Sequence, residues 1–82
     1  MSYEKVLQGK EIVIGTKQTL KALENDKVQQ VFLASDADLR VVQKVKVLAE
    51  KKEVPITFVE SMKRLGKVCG IDVGAATVGI TK

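Results

Sequence analysis

The sequence predicts an α/β protein, a three-layer α/β/α sandwich around a mixed sheet of about four strands. Short apolar runs typical of strands alternate with segments in which apolar residues recur every three or four positions, as in helices. The chain has 82 residues, enough for one small core and too few for a second. We therefore expect residues 1–82 to form a single domain.

The order of the elements follows from these changes of period and from the residues that interrupt them. Gly15 separates a strand from a helix, the segment Ser35-Asp36-Ala37-Asp38 supplies cap signals for a long helix, Ser61 can cap another, and Pro55 ends a helix and precedes a strand. In chain order, the predicted elements are a helix over 2–7, a strand over 11–14, a helix over 16–24, a strand over 28–34, a helix that follows the cap signals of residues 35–38 and extends to about 52, a strand over 56–59, a helix over 61–68 and a strand over 76–81.

The apolar residues within these elements predict the core. The continuous run Val31–Leu33 is typical of a strand covered on both faces. Phe32 and Phe58 lie in strand runs and are expected in the core, not on a surface that stacks bases. The long third helix is expected to bury its apolar stripe, which consists of Leu39, Val42, Val45, Leu48 and Ala49.

Composition excludes several classes of function. The chain has no histidine and one cysteine, so an internal disulfide, an ordinary zinc site and the common hydrolytic dyads and triads are excluded. Cys69 is expected to be a small packing residue, not a reactive thiol.

No apolar run approaches the roughly 20 residues of a membrane span and no signal-peptide pattern is present, so we expect a cytoplasmic protein. The net charge of +4 favours a polyanionic partner, although many basic proteins bind no nucleic acid.

The first candidate site lies where the first strand becomes a helix. At about 100° per residue, Lys17, Gln18 and Lys21 gather on the side of this helix opposite its leucines. Gly15 permits a tight turn or the close approach of another backbone, and the start of the helix offers N–H groups and a positive dipole end to phosphate. Lysine and glutamine can also contact base edges. The alternative is an ordinary solvated helix face.

The second candidate site is the loop between Gly70 and Gly74. Ile71 and Val73 are branched and apolar, and exposure of such side chains at a loop tip costs free energy unless something covers them. A bound partner would cover them. Both residues could equally fold back into the core of this small domain, and the sequence leaves the two alternatives open.

Together these segments resemble the kink-turn RNA-binding family of ribosomal proteins L-seven-Ae and L-thirty-e. The resemblance covers almost the whole chain in order, and the length is most similar to that of small bacterial members. Its most specific parts are Gly15-Thr16-Lys17-Gln18-Thr19-Leu20-Lys21, the strand that ends at Ala34, Leu65-Gly66-Lys67-Val68-Cys69-Gly70 and the strand that begins at Ala75-Ala76.

The resemblance implies a protein that binds a kink-turn, a sharply bent internal loop of RNA with tandem sheared G·A pairs beside a short bulge. The helix would lie along the opened major groove, and the loop would cover the bulge, with Ile71 and Val73 on unstacked bases. The implied partner is a structured RNA, either ribosomal RNA or a regulatory transcript, bound by a monomer without cofactor, metal or catalytic residues. The implied RNA-binding residues are Gly15, Thr16, Lys17, Gln18, Lys21, Gly70, Ile71, Asp72 and Val73.

The chain also departs from the family pattern. Lys17-Gln18, as in the L-thirty-e branch, stands where archaeal members typically have Asn-Glu, so the resemblance does not define the exact base contacts of this pair. Gly74 stands where many have proline, and a freer loop loses more entropy on binding. A family glutamate falls near Asp36 and Asp38, which are expected to lie in a cap or turn and are assigned no binding role.

Two other classes of function were weighed against RNA binding. A protein-interaction adaptor of the same fold is the alternative, because some relatives lack the RNA role and the apolar loop could contact a protein. An enzyme is the least favoured class, because Gly66-Lys67 lacks the spacing and the following hydroxyl residue of a phosphate-binding loop.

Overall fold

A computed structural model of the protein describes residues 11–71 and 73–82. The strands in this part of the chain are β1 (Ile12–Ile14), β2 (Val28–Ala34), β3 (Ile56–Val59) and β4 (Thr77–Thr81), and the helices are α1 (Thr16–Glu24), α2 (Leu39–Lys51) and α3 (Met62–Val68). Every element predicted in this part of the chain is present. The bounds agree with the prediction to about one residue, except that the sequence limits the cap of α2 only to residues 35–38. The helix predicted over 2–7 lies outside the described residues.

The strands form a mixed sheet in the order β1-β4-β2-β3. Strand β4 runs antiparallel to both of its neighbours, whereas β2 and β3 run parallel and are joined through α2. In this register Leu33 pairs with Thr77, and Ala34 pairs with Val59. Strands β1, β2 and β3 therefore end at the same edge at which β4 begins, and we call this the loop edge of the sheet.

Two apolar layers cover the sheet, one on each face. Side chains alternate along β2, so that Val31 and Leu33 face one layer and Phe32 and Ala34 face the other. The first layer contains α1 and α2, with Leu23, Val45 and Ala49 fully buried, and the second contains α3, with Leu65 and Val68 buried. This arrangement confirms the predicted α/β/α sandwich.

Two predictions about the core are wrong. Phe58 is 47% exposed, because it lies on β3, which has no described strand on its outer side. Leu39 is 68% exposed. It is the first residue of α2 and lies about 120° around the helix from the buried Val45, too far for its side chain to reach the sheet. The remaining residues of the predicted stripe on α2 pack in the core as expected.

Candidate nucleic-acid interface

The backbone at Gly15 connects the start of α1 to the start of β4. Gly15 has a φ of 109°, and its N–H donates to the carbonyl oxygen of Thr77 at 2.9 Å. The hydroxyls of Thr16 and Thr77 are also hydrogen-bonded, at 3.1 Å. No atom lies within 4 Å of the position that a Cβ would occupy at Gly15, so the turn needs glycine for its conformation and not for a close approach.

The polar face of α1, formed by Lys17, Gln18 and Lys21, is exposed as predicted. The opposite face packs closely on the sheet, because Thr19 is buried and its methyl group would lie 3.1 Å from a Cβ at Gly79. Neither lysine forms an ion pair with any described residue. Their charges are therefore available to a polyanion.

The start of α1 also offers hydrogen-bond donors. Gly15 occupies the N-cap position and no side chain caps the helix, so the first N–H groups of α1 have no partner within the helix. They lie at the loop edge together with the positive end of the helix dipole, which is a favourable position for phosphate.

The end of α3 has the hydrogen bonds of a Schellman motif. Gly70 has a φ of 78° and donates its N–H to the carbonyl oxygen of Lys67 at 3.0 Å, and Ile71 donates to that of Gly66 at 3.0 Å. This motif commonly places the residue after the glycine in contact with the last apolar turn of the helix. Ile71 accordingly packs against the core layer that contains Leu65.

The rest of the loop lies against α3. A Cβ at Gly66 would overlap the carbonyl oxygen of Val73, and a Cβ at Gly74 would lie 3.2 Å from the Cβ of Met62. The N–H of Ala75 donates to the carbonyl oxygen of Met62 at 3.0 Å. These close approaches explain why glycine stands both in the helix and in the loop, and they fix the loop relative to α3.

The structure separates the two apolar loop residues. Ile71 is partly buried in the core layer, whereas Val73 is 71% exposed. Asp72 lies outside the described residues. Met62, also partly exposed, borders Gly74 and adds apolar surface beside the loop. Met62 could not be predicted as part of this surface, because a single methionine at the start of a helix forms no recognisable pattern.

Asp36 and Asp38 both make structural hydrogen bonds, which confirms the expected cap and turn. Asp38 caps α2 by accepting the N–H of Arg40 at 2.8 Å, and Asp36 accepts the N–H of Met62 at 2.7 Å. Asp36 thereby joins the chain after β2 to the start of α3. Ser61 caps α3 as predicted, by accepting the N–H of Arg64 at 3.0 Å.

The two candidate segments meet at the loop edge from opposite faces of the sheet. Helix α1 lies on one face, and α3 with its loop lies on the other. The chain from Val73 leads directly to Thr77, which bonds Gly15, and the carbonyl oxygen of Ala76 accepts the N–H of Ala34 at 2.9 Å. The positions of the two segments relative to each other are therefore set by backbone hydrogen bonds.

The remaining chemistry of the described residues is simple. Cys69 packs against the core, and burial raises the pKa of its thiol above the ordinary value, as expected for a packing residue. Among residues 11–71 and 73–82, no cluster of acidic, cysteine or histidine side chains could hold a metal ion. No helix in this part of the chain has the length and apolar character needed to span a bilayer.

The fold and these motifs agree with a sequence comparison. The chain belongs to the Ribosomal protein L7Ae/L30e/S12e/Gadd45 family, whose match covers residues 2–82. This confirms the resemblance found in the sequence.

Close relatives are small bacterial proteins. RNA-binding protein BH0128 of Halalkalibacterium halodurans is 62% identical over 82 residues and RNA-binding protein YbxF of Geobacillus stearothermophilus is 55% identical over 82 residues, each match covering 100% of both chains. A solved structure, the Giardia lamblia 15.5kD RNA binding protein, has a TM-score of 0.84 and 30% identity, over 99% of this chain and 67% of that one.

Proposed function

We propose that the protein is a single-domain, monomeric RNA-binding protein that recognises kink-turns through the polar face of α1 and the loop over residues 70–74. The observation that carries the proposal is the meeting of these two segments at one edge of the sheet, where Thr77 bonds Gly15 and Thr16. The relatives described above are RNA-binding proteins, which supports the same partner.

The chemistry of the two segments is complementary to a bent RNA. Lys17 and Lys21 form no ion pair with the acidic residues that the structure describes, so their charges can serve phosphates. The amide of Gln18 can both donate to and accept from a base edge. The major groove of a regular RNA helix is too narrow for side chains, so α1 requires a groove opened by a bulge. Exposed Val73 would then cover a base that the bulge leaves unstacked.

The proposal is tested by asking whether Lys17 and Gln18 discriminate between RNAs. Each residue is replaced by alanine, and binding is titrated on a kink-turn and on a copy whose G·A pairs are converted to Watson–Crick pairs. We expect each substitution to cost about 1–3 kcal/mol on the kink-turn, because a base contact is lost, and much less on the copy. Lys46→Ala, which removes an exposed charge from α2, is the matched control.

Two results would contradict the proposal. Equal losses on both RNAs would show that these residues make only nonspecific contacts. Equal affinity of the unmodified protein for the two RNAs would remove kink-turn recognition altogether.

A protein-interaction adaptor without specific RNA binding is the second candidate. The exposed apolar surface of Val73 and Met62 favours it, because a protein could cover these side chains. The two candidates differ in the titration above, since an adaptor would show no preference for the kink-turn.

A further inference from the structure

Two helices of the described chain are strongly basic. Helix α3 contains Lys63, Arg64 and Lys67 and no acidic residue, and its Arg64 pairs with Glu60. Helix α2 has the larger number of basic residues. It contains four basic residues and one acidic residue, Glu50, a net charge of +3 compared with +4 for the whole chain. The basic residues are Arg40, Lys44, Lys46 and Lys51. None of them forms an ion pair within the described part of the chain.

The charges on α2 are not spread evenly around it. Glu50 follows Lys46 by four residues and so lies beside it on the helix surface. Lys44 and Lys51 lie on a separate stripe, about 20° apart around the axis, and Arg40 lies within about 40° of both. This stripe carries no acidic residue. The lysines of this stripe are therefore the least compensated charges on α2.

These two lysines border an open depression on the outer side of the helix. It has a volume of about 450 Å³, and Val47 and Leu48 contribute its apolar lining. Val47 is 65% exposed, and nothing in the described chain covers it. Along the axis Lys44 and Lys51 are separated by about 10 Å, at 1.5 Å per residue.

The depression lies on the same side of the sheet as the polar face of α1. Leu20 and Leu23 of α1 share one core layer with Val45 and Ala49 of α2, so the two helices lie side by side. Helix α2 begins just after β2 ends, so its first turn is close to the loop edge. The positive surface of α2 therefore extends away from the candidate interface on this side of the molecule.

We propose that the outer face of α2 binds the phosphate backbone of an RNA stem that continues from the segment bound at the loop edge. This inference rests on the proposed function. Each strand of a nucleic-acid duplex carries a charge about every 3 Å along its axis, so two lysines about 10 Å apart can contact one strand within a few nucleotides. A stripe with positive charges only favours a polyanion, whereas a protein partner would need a matching acidic surface.

The experiment compares kink-turns with short stems and with one stem or the other extended by about ten base pairs. We expect one extended stem to tighten binding and to steepen the salt dependence of the binding constant by about two, one unit for each lysine. Lys44→Gln/Lys51→Gln should abolish both gains and leave binding to the short RNA unchanged. Glutamine has a helix propensity similar to that of lysine, so α2 is preserved.

The matched control is Lys46→Gln/Lys82→Gln, which removes the same charge from exposed positions outside the stripe. It should retain both gains. The inference is overturned if neither extended stem tightens binding, if the control loses the gains as well, or if Lys44→Gln/Lys51→Gln weakens binding to the short and extended RNAs equally.

Two further readouts complete the test. In the first, a helical peptide with glutamates flanking leucines is added to the complex with the short RNA, and the amide resonances of α2 are followed. If these resonances shift, and neither extended stem tightens RNA binding, the face binds a protein and the inference is overturned. Failure of the proposed function is distinguishable, because the protein would then show no preference for the short kink-turn over its Watson–Crick copy.

Discussion

Gly66 lies within α3 and lets the loop that follows this helix pack directly against it. Alanine is favoured over glycine within a helix by about 1 kcal/mol, so propensity alone predicts that Gly66→Ala stabilises the protein. A Cβ there would overlap the backbone carbonyl of Val73, which cannot move without displacing the loop.

We expect the steric overlap to cost more than the gain in helix propensity. Gly66→Ala should therefore lower the free energy of unfolding by about 1–3 kcal/mol, the usual cost of overpacking. Urea unfolding of both proteins measures the change. An unchanged or raised free energy of unfolding would show that the loop does not lie against α3.

At the scale of elements, the loop over residues 70–74 has one residue that serves the fold and one that faces solvent. Ile71→Ala should lower the free energy of unfolding by about 1–2 kcal/mol, less than at a fully buried site, because Ile71 is only partly buried. Val73→Ala should change stability by no more than about 0.5 kcal/mol, as is usual for surface positions.

The same two variants separate stability from binding. Val73→Ala should weaken RNA binding while the salt dependence is unchanged, because apolar contacts release no counterions. Titration of the folded variant at several salt concentrations measures both quantities. If Val73→Ala binds as well as the unmodified protein, the loop does not cover a base.

Local signals predicted the elements well. Gly15, Pro55 and Ser61 act directly on the backbone, through a positive φ, a fixed φ or a cap, and the elements they bound were located within about one residue. The cap of α2 was located only within residues 35–38, because several residues there can cap a helix, and the structure selects Asp38. The position of Ile71 could also have been predicted, because a glycine followed by an apolar residue after a helix is typical of the Schellman motif.

The errors at Phe58 and Leu39 have a different cause. Apolar period shows that a residue lies in a strand or on a helix stripe, but it does not show which strand will lie at the edge of the sheet. The same limit applies to the interface. Its two segments could be selected from their composition, whereas their meeting at Thr77 depends on the pairing of β4 with β1 and β2.

For the whole molecule, the proposed interface would extend from one face of the sheet to the other across the loop edge, and this predicts an effect on the shape of the bound RNA. A protein that contacts both sides of a bend binds the bent form more tightly than the extended form, and it shifts the population by no more than that difference in affinity. We therefore expect the protein to bend a kink-turn that is only partly folded, without any chemical step.

Fluorescence transfer between dyes on the two RNA arms measures this effect at low magnesium, where the free RNA is incompletely bent. Transfer should rise to saturation as protein is added and return to its starting value with excess unlabelled RNA. Specific binding without a rise in transfer would exclude this mode of action.

The central place of β4 in the sheet also determines when the interface can form. This strand follows β1, β2 and β3 along the chain, yet it lies between β1 and β2, and its first residue holds the turn at Gly15. Thr16 and Thr77 are 61 positions apart, so their contact is among the most non-local in the protein, and such contacts close late in folding. A ribosome synthesising this chain therefore releases α1 long before β4, and the growing polypeptide has no assembled interface until the residues of β4 have emerged.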